Sequence, residues 1–181
     1  GVATLLKGKR RVAMEYSPLG QLPRVSRVDA GIVELVRGEG VDVVSSCDVA
    51  QYATQRLTTT QLESHFVAAA KLDGIVLDAF CLVGDEKGAS EYDVAEFIRR
   101  RFREEELVVT DGPIVAANEH ASDPHFDPSP DVAVQFELGN WVLIDLWARL
   151  EGEDTVFADI TWTGFIGDRV PEAHERAFDV V

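Results

Sequence analysis

The segment Trp141–Gly167, WVLIDLWARLEGEDTVFADITWTGFIG, decides how the chain is read. Two apolar runs, Trp141–Trp147 and Thr155–Trp162, flank a polar turn, Glu151–Asp154, that contains Gly152. This is the pattern of a β-hairpin with a short loop. Each run carries one carboxylate among residues that would otherwise be buried: Asp145 in VLIDLW and Asp159 in FADITW. An ionised Asp inside an apolar strand is costly, on the order of several kcal/mol, unless it is paired, protonated or bound to a metal. Two of them on neighbouring strands repel unless a cation lies between them. Either both sit at strand ends and cap loops, or they share a cation. An even number of positions separates them, so one face can hold both if the register allows.

Immediately upstream, Ala116–Pro130 reads AANEHASDPHFDPSP, a loop by its Asn, Asp, Ser and Pro content. It contains His120, which reads as a surface loop histidine. It also contains His125, whose imidazole would be held in place by the neighbouring Pro124, Pro128 and Pro130. Val108–Ala117 has strand character interrupted by Asp111-Gly112-Pro113, and Val132–Glu137 alternates as a further strand would.

Further out, apolar residues recur at helical spacing from Gln61 to Phe80, with His65 as a polar first-turn residue. Gly84–Ala89 reads as a loop. Ser90 and Asp93 approximate a capping box ahead of Val94, Phe97, Ile98 and Phe102. Arg99–Arg101, Arg103 and Glu104–Glu106 close that helix as a solvated, mutually paired charge cluster. Near the start, a strand over Arg10–Tyr16, a helix over Ala30–Arg37 capped by Ser26 or Asp29, and a strand in VDVVSS predict a parallel βαβ unit. A short helix over Asp48–Arg56 and a linker at Leu57–Thr60 follow. After the hairpin, Gly164 and Gly167 loosen the exit, and Pro171 starts a helix whose His174 faces water.

Nearly half of the 181 residues are apolar, enough for one sizeable core plus a small lobe. The formal net charge of −15 disfavours a nucleic-acid partner. Cys47 and Cys81 lie in or beside apolar runs and read as reduced core thiols. No apolar run approaches the length of a membrane span and no signal peptide precedes the first lysines, so a cytoplasmic protein with no membrane partner is expected. Both ends look cut, since the chain starts at Gly1 rather than Met and stops on AFDVV.

LIDLWARL and FADITWTGFIG resemble the first two metal-ligand segments of the pita-bread metallopeptidases, the creatinase, prolidase and Xaa-Pro aminopeptidase family. ANEHASDPHFDP resembles that family's substrate-side histidine segment, and the match falls at His125 and not at His120. The resemblance implies an α+β fold with only the first half of the pita-bread catalytic domain present, residues 58–181. Residues 1–57 would be the C-terminal part of a creatinase-type α/β N-terminal domain. It implies a homodimer, a centre of two divalent ions (manganese first, with cobalt, zinc or iron as alternatives), and a small peptide substrate with proline at the second position. Asp145 would bind one ion and Asp159 bridge both, while His125 outside the metal shell would hydrogen-bond the substrate.

The family's second aspartate is often followed by Thr-Arg. Here Ile160-Thr161-Trp162 follows, so no arginine role carries over and Trp162 is expected to pack. The remaining family ligands, one histidine and two glutamates, belong to the second half of the fold, so the 181 residues alone are expected to be inactive. Two alternatives stay open: a non-catalytic pita-bread binding or scaffold protein, and a creatinase-like C–N hydrolase.

Overall fold

The computed structural model describes residues 1–85 and 88–180. The chain forms two compact units, Gly1–Leu57 and Thr58–Val181. In the first, α1 (Val2–Leu6), β1 (Arg11–Met14), α2 (Ala30–Gly38), β2 (Asp42–Ser45) and α3 (Cys47–Thr54) follow in order. β1 and β2 pair in parallel from Arg11↔Asp42 to Met14↔Ser45. Parallel neighbours need a crossover, and α2 supplies it. Asp29 is its cap, accepting the Ile32 N–H at 3.1 Å. Val33, Val36, Val41 and Val43 form the small core of this unit.

The second unit contains α4 (Thr59–Asp85), α5 (Glu91–Glu104), β3 (Leu107–Val108), β4 (Ile114–Ala117), β5 (Trp141–Leu150), β6 (Ala158–Phe165) and α6 (Glu172–Phe178). β5 is the centre of its antiparallel sheet. β6 runs along one edge, and β4 then β3 share the other. The alternation along β5 sorts the sheet into two faces. Val142, Ile144, Leu146 and Ala148 are buried, while the residues between them are partly exposed. Onto the buried face α4 presents Ala68, Leu72, Ile75, Val76, Ala79 and Val83, and α5 presents Val94, Ala95, Ile98 and Phe102. Burying each larger aliphatic side chain contributes about 1.5–3 kcal/mol, so this face holds the helices on the sheet.

Several local expectations need correction. α4 does not stop at Phe80 but runs through Gly84 to Asp85, so the loop expected over Gly84–Ala89 is shorter at its start, while Glu86 and Lys87 lie outside the described residues. The hairpin loop is longer than its turn residues suggest and spans Glu151–Phe157. Arg149 draws Thr155 out of the ladder, with Nη1 donating to the carbonyls of Leu150 and Gly152 and to the Thr155 hydroxyl. Val132–Glu137 forms no strand. Its one bridge joins Gln135 to Ser90, because its backbone bonds go to the start of α5. Cys81 is exposed on α4 rather than buried.

Gly164 does not loosen the exit. It sits inside β6 with Phe80 against it, and a Cβ there would lie 2.8 Å from that ring. Trp162 lies opposite Ile144, on the helix-covered side of the sheet, but on the edge strand it stays 41% exposed. His174 does not simply face water. Its ring lies 4.9 Å from Trp141, and its Nδ1 is buried with no hydrogen-bond partner among the described residues.

Candidate functional site

Register decides where the two strand aspartates point. Asp145 lies directly across from Thr161, and Asp159 directly across from Trp147. Residues opposite one another share a face, as do residues two apart. Asp145 and Asp159 are therefore diagonal neighbours on the face of the sheet away from α4 and α5. The Thr161 hydroxyl donates to Asp145 Oδ1 at 2.6 Å, which fixes the rotation of that carboxylate and leaves Oδ2 without a donor among the described residues. Desolvation raises the Asp159 carboxyl above the ordinary aspartate range, and the charge of Asp145 adds to the shift.

The third residue singled out, His125, lies in the loop after β4. Asp123 Oδ1 accepts its backbone N–H at 2.9 Å, and Asp123 O accepts that of Phe126 at 3.2 Å. His125 opens onto a cavity of about 510 Å³ whose apolar walls are Pro113, Ile114, Phe126 and Trp147. That volume is in the range of small-ligand pockets. Ile114 is the β4 partner of Asp145, and Trp147 is the β5 partner of Asp159, so the cavity wall adjoins both carboxylates.

Two side chains keep this wall in shape. Trp147 Nε1–H donates to Asp111 Oδ1 at 3.2 Å, with the ring lying over Gly112. Gly112 has φ +78°, and a Cβ there would come within 2.6 Å of the indole, so only glycine fits. Arg99 reaches from α5 to Gly112 O at 3.3 Å and to Asp127 at 3.4 Å, joining the strap before β4 to the loop after it.

Glu91 is not among the residues that the sequence singles out, and His120 reads there as a surface loop histidine. Glu91 is fully buried at the first position of α5. Its Oε1 accepts the Ala117 N–H at 2.6 Å, and its Oε2 accepts the Val134 N–H at 2.9 Å. His120 is no free surface histidine. Its Nδ1 lies 2.9 and 3.0 Å from the two Glu91 oxygens, and its ring stacks on Phe126 with centroids 4.3 Å apart. A signal for Glu91 was present: it heads the stripe Glu91, Val94, Ala95, Ile98, Phe102, which is apolar except for the carboxylate.

Two carboxylates on one face, one of them raised by desolvation and further by the charge of the other, form a donor set that gains from a hard divalent cation. No group of three or more His, Cys, Asp and Glu side chains able to hold a metal occurs among the described residues. Asp145 and Asp159 are what this chain offers toward such a centre.

Residues 64–181 match the model of metallopeptidase family M24, more than half of the chain. Among solved structures, the chain is similar to a prolidase from Thermococcus sibiricus at 19% identity and a TM-score of 0.60, covering 99% of this chain and 46% of that one. It is similar to a dipeptidase from Mycobacterium ulcerans at 22% identity and a TM-score of 0.61, covering 96% and 43%. It is also similar to an X-Pro aminopeptidase from Thermotoga maritima at 20% identity and a TM-score of 0.57, covering 96% and 44%. The chain thus spans less than half the length of each. At these identities the likeness is one of fold: the mixed helix-and-sheet architecture is that of the pita-bread metallopeptidases, about half of it. No curated protein matches the chain.

Proposed function

This chain belongs to metallopeptidase family M24, and from that membership we propose that it is part of an exopeptidase that cleaves ahead of proline, an Xaa-Pro aminopeptidase or dipeptidase. The observation that carries the reading is the diagonal placement of Asp145 and Asp159 on one sheet face, beside the cavity onto which His125 opens. Asp145 and Asp159 would hold part of a centre of two divalent ions, manganese first, completed by ligands from outside these 181 residues; when bound, such ions activate a water and polarise the scissile carbonyl.

The other steps fall to side chains of this chain. Thr161 holds the Asp145 carboxylate in one orientation through its hydroxyl proton. The ring of Trp147, the cross-strand partner of Asp159, forms part of the cavity wall, and its own N–H is satisfied by Asp111. His125 donates a hydrogen bond to the substrate oxygen that gains charge as the carbonyl is attacked. Pro113, Ile114, Phe126 and Trp147 offer apolar walls that suit a pyrrolidine ring.

The test uses the full-length protein and an Xaa-Pro dipeptide. Asp159→Ala should abolish metal-dependent hydrolysis, and retained activity sinks the assignment. His125→Ala should lower kcat by about 10²–10³-fold, the cost of one lost oxyanion donor, with metal content unchanged. Loss of metal in that variant would make His125 a ligand instead. Hydrolysis of creatine-like C–N bonds, with none of peptides, would move the protein to the other branch of the fold.

A further inference from the structure

One carboxylate ties down both ends of the loop that carries His125. Ala117, the last residue of β4, and Val134, just past the loop, give their N–H groups to different oxygens of Glu91. The backbone closes the same joint: Glu91 N–H donates to Val134 O at 3.0 Å, and Phe136 N–H to Ala89 O at 2.8 Å. At the start of the loop, Asn118 takes a φ of +48°, and its side-chain oxygen accepts the Trp141 N–H at 2.9 Å.

His120 carries this anchorage inward. A carboxylate that accepts two amide N–H groups has only acceptor sites left, so His120 Nδ1 bears the hydrogen and donates to it. The backbone of His120 then accepts the Asp123 N–H at 3.1 Å, and Asp123 caps the N–H of His125. Its ring lies nearly parallel to Phe126, at 25°, next in sequence to His125. The His120 side chain, held by Glu91, thus packs beside the turn whose bonds fix the His125 main chain. A buried carboxylate with three donors is a rigid point, because leaving any of those groups unpaired would cost its full desolvation.

We propose that Glu91 and His120 are positioning residues for His125: a buried carboxylate–imidazole clamp that holds the substrate-side histidine where the reaction needs it. The proposal rests on the hydrolytic reading of His125, so its test must separate the two. Glu91 is fully buried and its removal endangers folding, which makes His120 the residue to vary. The full-length, metal-loaded protein is labelled at its histidine nitrogens. His120→Leu removes donor and stacking ring together, and His120→Gln keeps a donor within reach of Glu91.

In His120→Leu the ring resonances of His125 should shift and broaden while those of His65 and His174 stay in place. With an Xaa-Pro dipeptide, kcat should fall about 10- to 100-fold, the scale of a misplacement of roughly an ångström, at unchanged metal content. His120→Gln should recover part of that loss. The double variant His120→Leu/His125→Ala should be no slower than His125→Ala alone, since the first residue acts only through the second. Unmoved His125 resonances, losses that add, or a fall in turnover explained by lost metal would each overturn the clamp. Wild-type turnover in His125→Ala would instead end the hydrolytic role of His125, and the resonance shift would still decide the clamp.

Discussion

Replacing Asp159 by Asn should stabilise the metal-free protein while removing its response to metal. The geometry supplies the magnitude. Diagonal partners on an antiparallel pair lie about 7–8 Å apart. Two like unit charges at about 7 Å repel by roughly 0.6 kcal/mol in bulk water and roughly 2.4 kcal/mol at an effective dielectric constant of 20. Asp159 is exposed on the edge strand with its carboxyl only partly desolvated, so screening keeps the value near the lower end, about 1 kcal/mol. In a unit of this size that is about 3 °C in Tm.

The pH dependence carries the sign. The carboxyl of Asp159 is raised in the folded state, chiefly by burial and then by Asp145. In acid, below the ordinary aspartate pKa, the group is protonated in folded and unfolded chains alike and costs nothing. As pH rises through the raised folded value, the wild type loses stability that Asn does not lose. The two proteins should therefore melt together near pH 3 if both remain folded there, and separate by about 3 °C at pH 7 in chelator. Added manganese should reverse the order, since binding to the folded state at 100 times Kd stabilises the wild type by about 2.7 kcal/mol. A variant that melts at or below the wild type in chelator at pH 7, or that gains as much from metal, would refute the reasoning.

Gly112→Ala should destabilise by roughly 2–4 kcal/mol, combining the left-handed backbone and the collision with Trp147. A lower urea midpoint at wild-type slope would show it, and an unchanged midpoint would contradict it. Asp93→Ala removes a capping box in which Ser90 N–H donates to Asp93 at 2.9 Å and Asp93 N–H donates to Ser90 Oγ at 3.2 Å. The cost should be about 1 kcal/mol at pH 7. The Asp93 carboxyl is held low by the Ser90 hydroxyl and then by its backbone N–H. The contribution is therefore full above the ordinary aspartate range and disappears as pH falls through the lowered folded value, so the melts of variant and wild type should converge in strong acid.

The parts legible in the sequence were those governed by local periodicity. The Trp141–Trp147 run, the Gln61–Phe80 stripe and the Ser90–Asp93 box each state their structure within a few residues. What escaped depends on partners far along the chain. Glu91 looks like an ordinary first-turn acid until Ala117 and Val134 arrive to satisfy it, and His120 looks solvated until Glu91 does. Val132–Glu137 has the alternation of a strand, but its amides and carbonyls are claimed by the start of α5. Cys81 sits amid apolar neighbours yet points away from the stripe of Ala68, Leu72, Ile75 and Ala79. For the aspartates, parity allowed a shared face, and only the pairing of Asp145 with Thr161 selects it.

The alternation along β5 has a consequence for how such a protein can change over generations. Its even-numbered residues answer to the helices beneath, and its odd-numbered ones face the cavity side. A saturation screen scored once for cellular abundance and once for turnover should therefore give two interleaved combs along Val142–Ala148, with teeth one residue out of step. Selection on either trait could proceed with little hindrance from the other. A deletion of one residue within the strand would instead exchange the combs, sending Asp145 toward α4 and a core aliphatic toward the cavity.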